Sequence, residues 1–67
     1  MKNNTQKQLM TQFLYEKVWT KVSDSEAMRL IDDEMKMGDA KGTLIYIKSA
    51  TQTGKTITVG ECRFRQE

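Results

Sequence analysis

Thr43-Leu44-Ile45-Tyr46-Ile47-Lys48-Ser49-Ala50-Thr51-Gln52-Thr53-Gly54-Lys55-Thr56-Ile57-Thr58-Val59 decides how this chain is read. Its two ends are rich in β-branched and aromatic residues, which favour a pleated, half-buried strand. Between them, Gly54-Lys55 has glycine in the first position of a two-residue loop, the chemistry of a type II′ hairpin turn. The stretch therefore predicts a β-hairpin with strands over 43–52 and 56–65.

A turn centred there fixes a register. Ile47 then faces Cys62, Ile45 faces Phe64, Ala50 faces Val59, and Lys48 faces Glu61 as an ion pair. One face carries Ile45, Ile47, Cys62 and Phe64 and is expected to be the core face. The other carries Leu44, Tyr46, Lys48, Ile57, Val59, Arg63 and Arg65.

Upstream the period looks helical. Residues 1–5 read as a frayed start, with Thr5 and Gln8 spaced as a capping box. Met10, Leu14, Val18 and Val22 recur every four residues, flanked by Leu9–Phe13 and Tyr15–Trp19, which predicts an amphipathic helix over 6–21. Ser23 and Glu26 form a second capping box. Ala27, Leu30, Ile31 and Met35 form the apolar stripe of a second helix over 24–37, and Gly38 is placed as its stop. The fold expected from these segments is α+β in the order α-α-β-β, a helical hairpin packed on one face of an antiparallel β-hairpin. A lone two-stranded sheet is marginal and has two open edges. Another protomer or a partner is therefore expected to cover part of it, and a homodimer suits that need.

At 67 residues the chain is read as one domain, residues 1–67. Such a chain buries only about 60% of its unfolded surface. It has one cysteine, Cys62, and no histidine, so neither a disulfide nor a zinc site can staple it. The N-terminal residues lead into no apolar signal segment, and no apolar run approaches the roughly 20 residues of a membrane span. Together with the unpaired thiol this gives a cytoplasmic expectation without membrane association.

The catalytic inventory is thin. Without histidine, Cys62 and the Ser and Thr hydroxyls have no ordinary general base. Ser49-Ala50-Thr51-Gln52-Thr53-Gly54-Lys55-Thr56 ends like a phosphate-binding loop. Ser49, however, replaces the first glycine, and Thr56-Ile57-Thr58-Val59 continues as a strand pattern where a helix is required. Asp32, Asp33, Glu34 and Asp39 cluster in sequence, but neighbouring helical residues point about 100° apart and do not converge on a cation. No catalytic residue, cofactor or metal ligand is therefore expected, and the chain reads as no enzyme.

Charge is distributed in blocks. Residues 1–22 carry +3, residues 23–40 carry −4 and residues 41–67 carry +3, giving a net charge of +2. The leading expectation is a small interaction protein, a regulator, inhibitor or accessory subunit that binds a protein partner. Met35 and Met37, adaptable side chains at the end of the acidic helix, are candidate contacts. The alternative is a nucleic-acid-binding protein that uses the basic hairpin face of Tyr46, Lys48, Arg63 and Arg65, where cations meet phosphates and an aromatic stacks on a base. These six residues are the candidate partner-binding set.

Overall fold

The computed structural model describes residues 8–36 and 38–67. The elements run β1 (Leu9–Phe13), β2 (Thr20–Lys21), α1 (Asp24–Met35), α2 (Ala40–Gln52), β3 (Ile57–Val59) and β4 (Cys62–Gln66). The strands form one antiparallel sheet in the order β2-β1-β4-β3, and both helices pack on one side of it. The α+β class and the α-α-β-β succession hold. That succession is preceded by an N-terminal strand pair and is shifted one element along the chain relative to the sequence reading.

The central pair joins the two ends of the described chain. Thr11 faces Phe64 and Phe13 faces Cys62. The ladder extends one step further, where Gln8 and Glu67 exchange backbone hydrogen bonds of 3.0 and 3.1 Å. The helix expected over 6–21 is therefore replaced, from residue 8 onward, by a strand, a loop and a second strand. Its first residues lie outside the described segment. The four-residue row misleads because Leu14 and Val18 are exposed while Leu9, Thr11 and Val22 are buried. Gln12, on the other face, is buried by its neighbours, whereas Leu9, Thr11 and Phe13 face the core side at the period of two that β1 needs. The partner strand that satisfies it lies some fifty residues away, so no local signal announces it.

The second helix of the sequence reading is α1. Its capping box is formed, with Ser23 Oγ accepting from the Glu26 backbone N–H at 3.2 Å and Glu26 Oε1 accepting from the Ser23 N–H at 3.0 Å. Ala27 and Ile31 are fully buried one turn apart. The helix ends at Met35, earlier than residue 37, and the positive φ falls on Lys36 rather than Gly38.

The expected strand over 43–52 is the helix α2. Leu44, Ile47 and Thr51 recur at helical spacing and are buried, whereas Ile45 lies outside the core. Asp39 caps it, accepting from the Gly42 N–H at 3.0 Å. Packing on the sheet outweighs the β preference of Ile45-Tyr46-Ile47 because that preference is chiefly a burial preference. Gly54, with φ +96, follows the last turn of α2 and ends it rather than opening a hairpin.

The hairpin turn is Gly60-Glu61, and the register moves with it. Val59 faces Cys62, Thr58 faces Arg63 and Ile57 faces Phe64. Gly60 has φ +58, and positive φ at the first loop residue alone is the type II′ pattern. Ile57 and Val59 thereby join the helix side of the sheet rather than the Arg63 side.

The core comprises Leu9, Val22, Ala27, Ile31, Leu44, Ile47, Cys62 and Phe64. Complete burial of Phe64, Ile31 and Ile47 contributes roughly 1.5–3 kcal/mol each. Thr51 is the polar hinge of this layer. Its hydroxyl donates to the Ile47 carbonyl at 2.7 Å and accepts from Gln66 Nε2 at 2.9 Å, tying α2 to the end of β4.

Candidate binding face on the helix-free side of the sheet

Because side chains alternate along a strand, burying Cys62 and Phe64 against the helices turns Arg63 and Arg65 to the opposite face. The register places Met10 beside Arg65, Gln12 beside Arg63, and Lys21 beside Met10 on the far strand. Thr58 flanks Arg63 from β3. Among the described residues no helix covers these side chains. The face therefore runs Lys21–Met10–Arg65 in one cross-strand row and Gln12–Arg63–Thr58 in the next.

Two contacts organise it. Arg63 Nη1 donates to Gln12 Oε1 at 3.1 Å, and Gln12 is only 6% exposed despite the absence of a helix above it. Arg65 reaches across β1 to Trp19, just before β2, and sets its guanidinium carbon 4.2 Å from the centroid of the ring. Arg65 Nη2 also bridges Glu67 Oε2 at 2.6 Å, while its Nε is shielded from solvent without an acceptor among the described residues.

The β1–β2 loop carries exposed apolar and aromatic side chains of its own, next to Phe13 on the core side of β1. Leu14, Tyr15 and Val18 are exposed, Tyr15 at 74%. The Tyr15 ring stacks on Phe13 with centroids 5.3 Å apart and planes 12° from parallel. The loop is braced by Glu16, whose carboxylate accepts from the Phe13 N–H at 3.1 Å, and by a 2.9 Å bond from the Leu14 N–H to the Glu61 carbonyl.

The six residues expected to contact a partner do not form one surface. Arg63 and Arg65 share the helix-free face. Tyr46 and Lys48 sit on α2, in the other layer, because 43–52 is helical. Tyr46 is 60% exposed, and Lys48 pairs with Asp24 at 2.7 Å instead of with Glu61. Met35 packs at the margin of the core, its sulfur accepting from Thr43 Oγ1 at 3.3 Å. Met37 lies outside the described residues. Trp19, an aromatic of the kind that anchors interfaces, and Lys21 belong to the face, although a helix over 6–21 would not set them beside Arg65.

Other chemistry is sparse. Among the described residues no group of three His, Cys, Asp or Glu side chains converges as a metal site would. Cys62 is fully buried in the core, and removal from water pushes its thiol pKa up to about 11, with the charges of Glu34 and Glu61 adding to the rise. Glu34 is used structurally, accepting from the Glu61 N–H at 2.9 Å. Among the described residues no helix is long and apolar enough to cross a membrane. Comparison with protein-family profiles, with curated proteins and with solved structures returns no match.

Proposed function

We propose that this chain is a small non-enzymatic binding protein that takes nucleic acid on the helix-free face of its sheet. One observation carries the reading: Arg63, Arg65 and Lys21 are gathered with Trp19 on one face that no helix among the described residues covers. Cations supply phosphate contacts, and aromatic rings supply stacking surfaces that tolerate any base. The carboxylates Asp24, Glu26, Asp32, Asp33 and Glu34 belong to α1 in the other layer, so charge is sorted by layer. A net charge of +2 fits such sorting, since the local field at a surface rather than the total steers a polyanion. The buried, unpaired Cys62 suits a reducing compartment such as the cytoplasm.

This order of the two readings reverses the expectation drawn from sequence. The reason is that Tyr46, Lys48 and Met35 part from Arg63 and Arg65, while Trp19 and Lys21 join them. The test is the double variant Arg63→Glu/Arg65→Glu, with binding to a labelled oligonucleotide followed by anisotropy and folding followed by circular dichroism. The reading expects affinity to fall by at least about tenfold with helicity retained, since two phosphate contacts become repulsions. Unchanged affinity in a folded double variant contradicts it.

A protein partner is the second reading, favoured by Ile45 and Tyr46. They stand 62% and 60% exposed on α2, away from the basic face, and large exposed apolar side chains mark contact surfaces. A self-associating chain would use the same pair, and Ile45→Ser/Tyr46→Ser would lower its mass in light scattering.

A further inference from the structure

We infer that the occupant of the helix-free face is a single nucleic-acid strand, and that Trp19 is its stacking platform. The inference rests on the nucleic-acid reading and narrows it.

Shape is the first argument. A double helix is read when an α-helix or a two-stranded ribbon enters a major groove about 12 Å wide. Here the arginines lie on β4, an inner strand, with β1 on one side and β3 on the other. Four strands at ~4.8 Å spacing present a face about 14 Å across before any side chain is added. A slab of that width does not enter the groove, so Arg63 and Arg65 could not reach the base edges of a duplex. A single strand laid over the slab meets the same side chains freely.

The Trp19–Arg65 pair is the second argument. A guanidinium is a planar cation, and it already occupies the place over the indole that a planar base would take or extend. Arg65 is anchored on its outer side by Glu67 at 2.6 Å. An incoming phosphate offers Arg65 a replacement acceptor, and an unstacked base offers Trp19 a replacement partner. Both native contacts are thereby exchanged for equivalent ones, and neither group is left unpartnered. A duplex, whose bases stay stacked on each other, can supply only the phosphate.

Charge placement is the third argument. Lys21 and Arg65 stand at opposite ends of one cross-strand row, and Arg63 lies in the next. Three cations thus share a face with Trp19, with Arg65 against its ring, along a path a flexible strand can follow. Stacking and phosphate contacts are indifferent to the sugar, so deoxythymidine and uridine oligomers are expected to bind alike.

Trp19 is the chain's one tryptophan, so its emission reports on the site directly. The experiment titrates the protein with oligothymidylate and oligouridylate of about 12 nucleotides, within the site sizes usual for such surfaces. A mixed-sequence duplex of equal length is the comparison, and anisotropy of labelled strands is read in parallel. The expected result is quenching of Trp19 by both single strands and at least tenfold weaker binding of the duplex. Trp19→Ala should lower single-strand affinity on the order of tenfold, and Trp19→Phe should restore most of it. Salt-sensitive binding that leaves emission unchanged, or that favours the duplex, overturns this inference and leaves the nucleic-acid reading standing. No binding to either form overturns both and points to a protein on this face.

Discussion

Glu34, in the last full turn of α1, accepts a hydrogen bond from the backbone N–H of Glu61 at 2.9 Å. This bond fastens the helical layer to the turn that carries β3 into β4. Gly60 precedes Glu61 with φ +58, and a Cβ there would collide with the Glu34 side chain. Gly60→Ala therefore strains the backbone and displaces the carboxylate together. Its urea midpoint should fall by the equivalent of more than about 1 kcal/mol, with an unchanged slope. An unaltered midpoint would show that the Glu34 clamp is dispensable.

The capping box at the start of α1 makes a prediction with a pH signature. Ser23→Ala should cost about 1 kcal/mol. The Glu26 carboxyl lies below its usual range chiefly because it accepts from the Ser23 backbone N–H, and next because of the Ser23 side chain. A lowered native pKa means that the contribution is present above the ordinary carboxylate value and is lost as pH falls through the native one. Denaturation midpoints of Glu26→Gln and of the parent should therefore converge in acid and separate near neutrality.

Cys62 gives the alkaline counterpart. Its thiol is raised from 9.0 to about 11, first by loss of solvent and then by Glu34, Glu61 and other carboxylates. A raised native pKa means that the stabilisation is complete below about pH 9 and is lost as pH climbs towards 11, because the unfolded chain ionises first. The parent should lose stability over that window more steeply than Cys62→Ala, measured by guanidinium melts at pH 8 and pH 10. Iodoacetamide should label native Cys62 far more slowly than the unfolded thiol.

Much of the sheet was legible as alternation but not as pairing. Along β4 the sequence separates Cys62 and Phe64 from Arg63 and Arg65 correctly, since that depends only on the period of two. The hairpin turn lies six residues beyond the one expected at Gly54-Lys55, because Gly54-Lys55 and Gly60-Glu61 both offer glycine before a tolerant residue. What distinguishes them is Gly54's position after a helix, and that helix was obscured by Ile45, Tyr46 and Ile47. Helix α1 was legible because Ser23 and Glu26 are local signals. Strand β1 was not, because its burial comes from β4 at the other end of the chain. The candidate face follows this pattern: its β4 half is legible from alternation, whereas a helix over 6–21 does not set Trp19 and Lys21 beside Arg65.

Glu67 provides a gain-of-function prediction. Its carboxylate holds Arg65 at 2.6 Å and competes with any phosphate for the same guanidinium. Glu67→Gln should tighten oligonucleotide binding a few-fold while leaving thermal stability nearly unchanged, since exposed ion pairs contribute little. Weaker binding would mean that Glu67 positions Arg65 rather than competing for it.

The most direct test of the central claim is the salt dependence of oligonucleotide affinity for the unaltered protein. Three cations, Lys21, Arg63 and Arg65, should give a fall of about 2 log units in K per log unit of salt on a single strand. A slope near zero, or no association even at low salt, would contradict the account and leave the helix-free face without its proposed ligand.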